Sequence, residues 1–298
     1  MATFKVKGGI KLKGDLHPQG AKNEALQVLC AVLLTPEEVR MENVPNIRDV
    51  NILIDLLRDL NVTVNKLDES TYTFKADNVD VDYLSSEDYK TKSSRIRGSI
   101  MIVGPLLARY GKGYIPKPGG DKIGRRRLDT HFIGFENLGA KFVYDSKEQF
   151  YRVTANELKG ADMLLDEASV TGTANIVMTA VMAKVKTSIY NAACEPYLQQ
   201  LCKMLNSMGA RITGVGSNLL HIEGVKYLGG CTHRILPDMI EIGSFIGLAG
   251  DLGLAHGGSC LGGCGLIGRG ARFGKRSGLW CAGVAARAVG CGEGKEKA

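Results

Sequence analysis

The chain has 298 residues, 44% apolar side chains and a formal net charge of +7, enough length for two ordinary domains with real cores. Its longest apolar run, "IMIVGPLLA" at 100–108, falls well short of the roughly 20 residues that span a bilayer. Residues 251–298 hold seven Lys and Arg against three acids, so most of the excess charge sits there and no global field for nucleic acid remains.

The opening, "MATFKVKGGIKLKG", lacks the apolar core of a secretory signal. The eight cysteines are scattered without zinc-ligand spacing, and Cys260 and Cys264 have no matching second pair. A cytoplasmic protein with reduced thiols, no metal site and no membrane partner is expected.

The first helix is expected over 20–34, "GAKNEALQVLCAVLL", with Lys22 and Asn23 in its first turn. A helix N-terminus presents unpaired N–H groups and partial positive charge, so a Lys there opposes the dipole. A bound anion removes that conflict; a solvated Lys is the alternative. "LLRDLNVTVNKL" at 56–67 then ends a helix, turns on Asn61 and alternates through Val62 and Val64 as a half-buried strand. "TYTFKA" supplies a second strand.

The same text recurs twice. A helix over 95–111, "RIRGSIMIVGPLLARYG", carries Arg95 and Arg97 at its start, and "GFENLGAKFVYD" at 134–145 turns on Gly139 into a strand that "FYRVTA" follows. In the third unit "EASVTGTAN" offers Ser169, Thr171 and Thr173 at the start of a helix over 171–185. Those hydroxyls serve either as caps or as partners for a ribose or an amide. "KMLNSMGARITG" at 203–214 turns on Gly209, and "LLHIEG" closes the unit. Gly and Asn suit each turn because they tolerate positive φ.

Inside the second unit, between its first helix and "GFENLGAKFVYD", lies "PGGDKIGRRRLDTH" at 118–131, which sets Asp121 after two glycines and before Lys122, Arg125, Arg126 and Arg127. A solvated turn is one reading; a proton donor on an anion-attracting loop is the other. "GGDKIGR" approximates G-x-x-x-x-G-K, but Arg stands for the Lys and no Ser or Thr follows, which argues against nucleotide hydrolysis.

A fourth copy begins at "LPDMIEIGSFIGLAG", residues 236–250, and breaks off. Residues 251–298 contain 14 glycines and no helical or strand periodicity, so no packed core is expected there. Because the change falls inside an element, this end reads as out of frame in preference to a genuine Gly-rich tail.

Taken in order, "GAKNEAL", "IRGSI", "GPLLARYG", "PGGDKIGRRRLDTHF", "ENLGAK", "NAACEP" and "HRILPDMIEIGSF" resemble the UDP-N-acetylglucosamine 1-carboxyvinyltransferases, the enolpyruvyl transferases that open peptidoglycan synthesis. The resemblance covers about residues 3–250. It implies an α/β fold, the inside-out α/β barrel with βαβαββ repeats, three to a domain, and an active site between two domains. Residues 21–235 would form one complete domain, residues 1–20 and 236–250 would belong to a second, largely missing one, and 251–298 would lie outside both.

The resemblance further implies that Lys22 and Asn23 meet phosphoenolpyruvate. Arg97 with Arg126, Arg127, Leu128, Asp129 and Thr130 would hold UDP-N-acetylglucosamine, and Ser169 and Val170 would lie near its uridine or diphosphate. Asp121 takes the place of the general acid, a Cys in most members and Asp in some, which implies fosfomycin resistance. No metal or organic cofactor is implied, and nucleic acid is not a partner. The related 5-enolpyruvylshikimate-3-phosphate synthases, which show a D-K-S helix start, are one alternative; a non-catalytic UDP-sugar or anion-binding fragment is another. With the opposite wall of the cleft missing, this chain alone is expected to be inactive.

Overall fold

Each unit folds as helix, strand, helix and an antiparallel strand pair. The computed structural model describes residues 3, 5, 15–115, 128–146 and 150–251, with the backbone alone at 249–251. The first unit runs through α1 (Lys22–Ala31), β1 (Glu38–Glu42), α2 (Arg48–Asp59), β2 (Thr63–Lys66) and β3 (Tyr72–Lys75). The second adds a short α3 (Glu87–Ser93), then a 3-10 turn (Arg97–Ile102) leading into α4 (Val103–Tyr110), β4 (Lys112–Ile115), α5 (Asp129–Asn137), β5 (Lys141–Asp145) and β6 (Phe150–Thr154). The third comprises β7 (Asp162–Leu164), α6 (Val170–Ala180), β8 (Lys186–Tyr190), α7 (Pro196–Ser207), β9 (Arg211–Thr213) and β10 (Leu219–Glu223). β11 (Cys231–Arg234) and α8 (Met239–Asp251) follow. Of the expected tail, 251–298, Asp251 ends α8 and the rest lies outside the described residues.

The three turns are built alike. Beyond α2, α5 and α7 the chain passes through Asn61 (φ 64°), Gly139 (φ 92°) and Gly209 (φ 103°). That left-handed step ends the helix and throws the next residues, Val62, Ala140 and Ala210, into the core.

Helices without a polar face must be surrounded by protein. α1 buries seven of its ten residues and α6 nine of its eleven, so they lie at the centre beside α4. The strands cover the outside in sheets of order β11-β1-β3-β2, β4-β6-β5 and β7-β8-β10-β9. α1, α4 and α6 are thus inside and the sheets outside, as the inside-out fold of the resemblance implied.

The third sheet holds the full repeat, with β7 parallel to β8. The first has the same order, but its leading strand is β11, parallel to β1 with Val39 opposite Cys231. In the second no strand takes that place among the described residues. There Asp80 Oδ1 accepts the N–H groups of Asp82 (3.0 Å) and Tyr83 (3.2 Å), a local turn that competes with strand pairing. The helix expected over 171–185 also stops early, at Ala180, and Val185 adopts φ 63°.

By its internal contacts the chain divides into Pro18–Gly243, which contains the repeats, and a unit of Met1–His17 with Ser244–Ala298. No described helix is long and apolar enough to cross a membrane.

Within the core, α4 and α6 touch at Gly104, where a Cβ would stand 2.6 Å from the Asn175 carbonyl oxygen and against its side chain. Gly104→Ala should therefore destabilise the domain by roughly 1–3 kcal/mol, as overpacking does. Urea unfolding of both proteins checks this.

Candidate active site at the helix N-termini

The N-terminal turns of α1, the 3-10 turn, α5 and α6 form a connected series. Gly98 links the first two: a Cβ there would lie 3.1 Å from Leu26 Cδ1, so Arg97 stands beside the second turn of α1. Arg97 also acts electrostatically on His131 of α5. His131 Nε2 lies 3.4 Å from Thr171 Oγ1 on α6, and Gly172 leaves room for Thr130.

Lys22 is the first residue of α1, whose N-cap, Ala21, has no side-chain acceptor. Asp238 compensates, its Oδ2 accepting the Lys22 N–H at 3.4 Å. The Lys22 ammonium pairs with Asp49 at 2.5 Å, with the two side chains 43% and 37% exposed. A pair that exposed contributes about 0–1 kcal/mol, so Asp49 holds the ammonium only weakly. Asn23 is exposed beside it.

His131 is buried against Asn175, whose Nδ2 lies 3.1 Å from His131 Nδ1. Asn175 Oδ1 accepts the Gly104 N–H (2.9 Å), which fixes Nδ2 as the donor. His131 Nδ1 therefore accepts, and the ring proton sits on Nε2, directed at Thr171. Burial first, then the Arg97 charge, lowers the His131 pKa to about 4, so the ring is neutral at physiological pH.

The other expected residues divide clearly. Leu128 is half-buried and Asp129 exposed at the start of α5, whereas Thr130 is buried, its hydroxyl 3.3 Å from Asp166 Oδ1. Ser169 Oγ accepts the Gly172 N–H (3.2 Å) and caps α6, with Val170 half-buried next to it. Thr173 is buried and accepts the Ala193 N–H (3.1 Å), so of the three hydroxyls read from the sequence Thr173 is structural. Asp121, Arg126 and Arg127, with Lys122 and Arg125, lie outside the described residues, between Ile115 at the end of β4 and Leu128.

Sequence reasoning missed His131, Asn175, Asp49 and Asp238. One signal was available: Thr171 and Asn175 stand four apart on α6, on one helix face, and both meet His131.

Residues 6–250 match the family model described as EPSP synthase (3-phosphoshikimate 1-carboxyvinyltransferase). The chain belongs to the EPSP synthase family. Among curated relatives it is 65% identical over 249 residues to a UDP-N-acetylglucosamine 1-carboxyvinyltransferase of Bacteroides fragilis. It is 47% identical over 249 residues to the protein of that name from Borreliella burgdorferi. Both matches cover 84% of this chain and 57% of the relative, so the chain spans little more than half their length. Among solved structures, the enolpyruvyl transferase NikO from Streptomyces tendae superimposes with a TM-score of 0.69 at 19% identity, covering 80% of this chain and 55% of that one. That likeness shows the enolpyruvyl transferase fold.

In this member of the EPSP synthase family the depressed His131 pKa has a measurable consequence. The unfolded chain binds a proton near pH 6.5 that the folded one refuses until about 4, so this contribution to stability is complete above pH 6.5 and is lost as pH falls towards 4. His131→Gln should remove on the order of 3 kcal/mol of that acid sensitivity. Chemical denaturation of both proteins between pH 4 and 7 measures it.

Proposed function

We propose that this chain carries one wall of a site that transfers the enolpyruvyl group of phosphoenolpyruvate to the 3-hydroxyl of UDP-N-acetylglucosamine. The observation that carries this reading is the linked series of helix N-termini with Lys22 and Arg97 on it. Both substrates are polyanions, and helix N-termini with flanking cations bind phosphate groups. The names of the relatives at 47–65% identity favour the sugar nucleotide over shikimate 3-phosphate as acceptor.

In this reading Lys22 leaves Asp49 for the phosphoenolpyruvate, and Asn23 adds a neutral hydrogen-bonding group. Arg97, Arg126 and Arg127 hold the diphosphate, while Leu128, Asp129, Thr130, Ser169 and Val170 line the sugar-nucleotide side. The sugar hydroxyl attacks C2, giving up its proton to a base on the opposite wall, as Asp121 delivers a proton to C3. Collapse of the adduct returns the C3 proton, expels phosphate and leaves the enolpyruvyl ether. Neither a metal nor an organic cofactor enters these steps. The reaction would be the first committed step of peptidoglycan synthesis in the cytoplasm, serving cell-wall growth, cell shape and division. The opposite wall belongs to the part of the relatives that the match does not cover.

The test is a fusion of residues 1–250 to the remaining portion of the Bacteroides fragilis relative, assayed for phosphate release with both substrates. Turnover is expected, and Asp121→Asn should lower kcat by about 100-fold or more, the usual worth of a general acid. No release from the fusion, or full activity of the Asn variant, counts against the assignment.

Asp121 also bears on inhibition. A carboxylate is a weaker nucleophile towards an epoxide than a thiolate. The fusion should therefore resist fosfomycin, and Asp121→Cys should be inactivated in a time-dependent manner.

A further inference from the structure

The chain enters the repeat domain beside the point where it leaves. Ala21 N–H donates to Leu236 O (2.7 Å) and Asp238 N–H to Gln19 O (2.8 Å), while Gly20 and Pro237 form an isolated antiparallel bridge. Under this crossing lies Glu24, the one fully buried carboxylate among the described residues. Its Oε1 is 2.9 Å from His233 Nε2, and its Oε2 accepts the Leu236 N–H at 3.2 Å. Three other titratable groups act on or near this carboxylate, Lys203 and Tyr197 from α7 and Asp238 from the return segment.

A buried ion-capable pair is weak evidence for stability, since apolar residues of similar volume do as well. What this pair supplies is position. One carboxylate binds two residues of the outgoing segment, and it sits two residues after Lys22. Desolvation raises its pKa above the ordinary carboxylate value, and the His233 bond opposes that rise.

We propose that Glu24 and His233 are a positioning pair that fixes the N-terminal turn of α1, with Lys22 and Asn23, to the return segment 233–238, so that the two are set as one unit. The proposal takes its functional meaning from the reading of Lys22 and Asn23 as phosphoenolpyruvate ligands, whereas the clasp itself stands on geometry.

Amide hydrogen exchange on the 298-residue chain tests the clasp, and titration of the same samples with phosphoenolpyruvate tests the ligand reading. Glu24→Ala should speed exchange at the Ala21 and Leu236 amides by about tenfold or more, as expected for loss of a charge-assisted bond, and leave the α6 amides unchanged. Glu24→Gln keeps an acceptor for Leu236 N–H and should restore slow exchange. It should also restore a phosphoenolpyruvate affinity that Glu24→Ala weakens. Should Glu24→Ala fail to fold, His233→Gln removes one arm and is read in the same way. Unchanged exchange at Ala21 and Leu236, or an equal rise across α6, overturns the positioning role. A parent chain that does not bind phosphoenolpyruvate even when residues 1–250 are fused to the remaining portion of the Bacteroides fragilis relative argues instead against Lys22 and Asn23 as its ligands, and the exchange pattern still judges the clasp.

Discussion

The domain depends on one side-chain amide, that of Asn175. In a regular α-helix the Gly104 N–H would donate to the Ile100 carbonyl. Here the amide of Asn175 stands between them, Oδ1 accepting from Gly104 and Nδ2 donating to Ile100 O, each at 2.9 Å. A side chain inserted into the helical ladder in this way gives the helix a cause to change course. The chain passes from 3-10 to α geometry at that point. The second hydrogen of Nδ2 goes to His131, so a single fully buried group joins parts of the second and third units. An apolar residue at this position would leave several buried polar groups unsatisfied, each at about 1–3 kcal/mol.

This junction also decides what the site presents to a ligand. Arg97 opens the 3-10 segment, Thr171 lies one turn before Asn175, and His131 shows its Nε2–H to Thr171 because Asn175 holds the other nitrogen. At α1 the unliganded chain neutralises its own cationic end, with Asp238 on the Lys22 amide and Asp49 on its ammonium. Under the proposed function, a phosphate arriving at Lys22 would replace the Asp49 carboxylate, one anion for another, so little net charge would be desolvated.

How much of this was legible follows from the range of each interaction. The helix, turn and strand series could be read because its determinants are local: Asn61, Gly139 and Gly209 each take positive φ within their own turn, and the alternation after each is a period-two signal. Lys22 and Arg97 were legible as cations at helix starts for the same reason. The irregular entry to α4 was not, since its cause lies on α6, far along the chain. Glu24 was equally silent. In sequence it is an ordinary acid in a first turn, and only the return of β11 reveals His233 opposite it. That no leading strand joins the second sheet among the described residues had a partial trace in the closely spaced Asp77, Asp80 and Asp82, residues that favour turns.

β11 completes the first sheet by lying parallel to β1, with Met41 opposite His233 and Glu42 opposite Arg234. During synthesis, then, β1 emerges early and waits for a partner from the far end of the domain. Until that partner leaves the ribosome, one side of β1 offers unpaired backbone groups to any other extended segment. The later units carry their own strands and can pair as they appear, so the order of assembly runs against the order of translation for this one sheet. Pairing across so long a separation is slow to form. The first unit made is the last to be sealed, and the nascent chain is most exposed to misassociation in that interval.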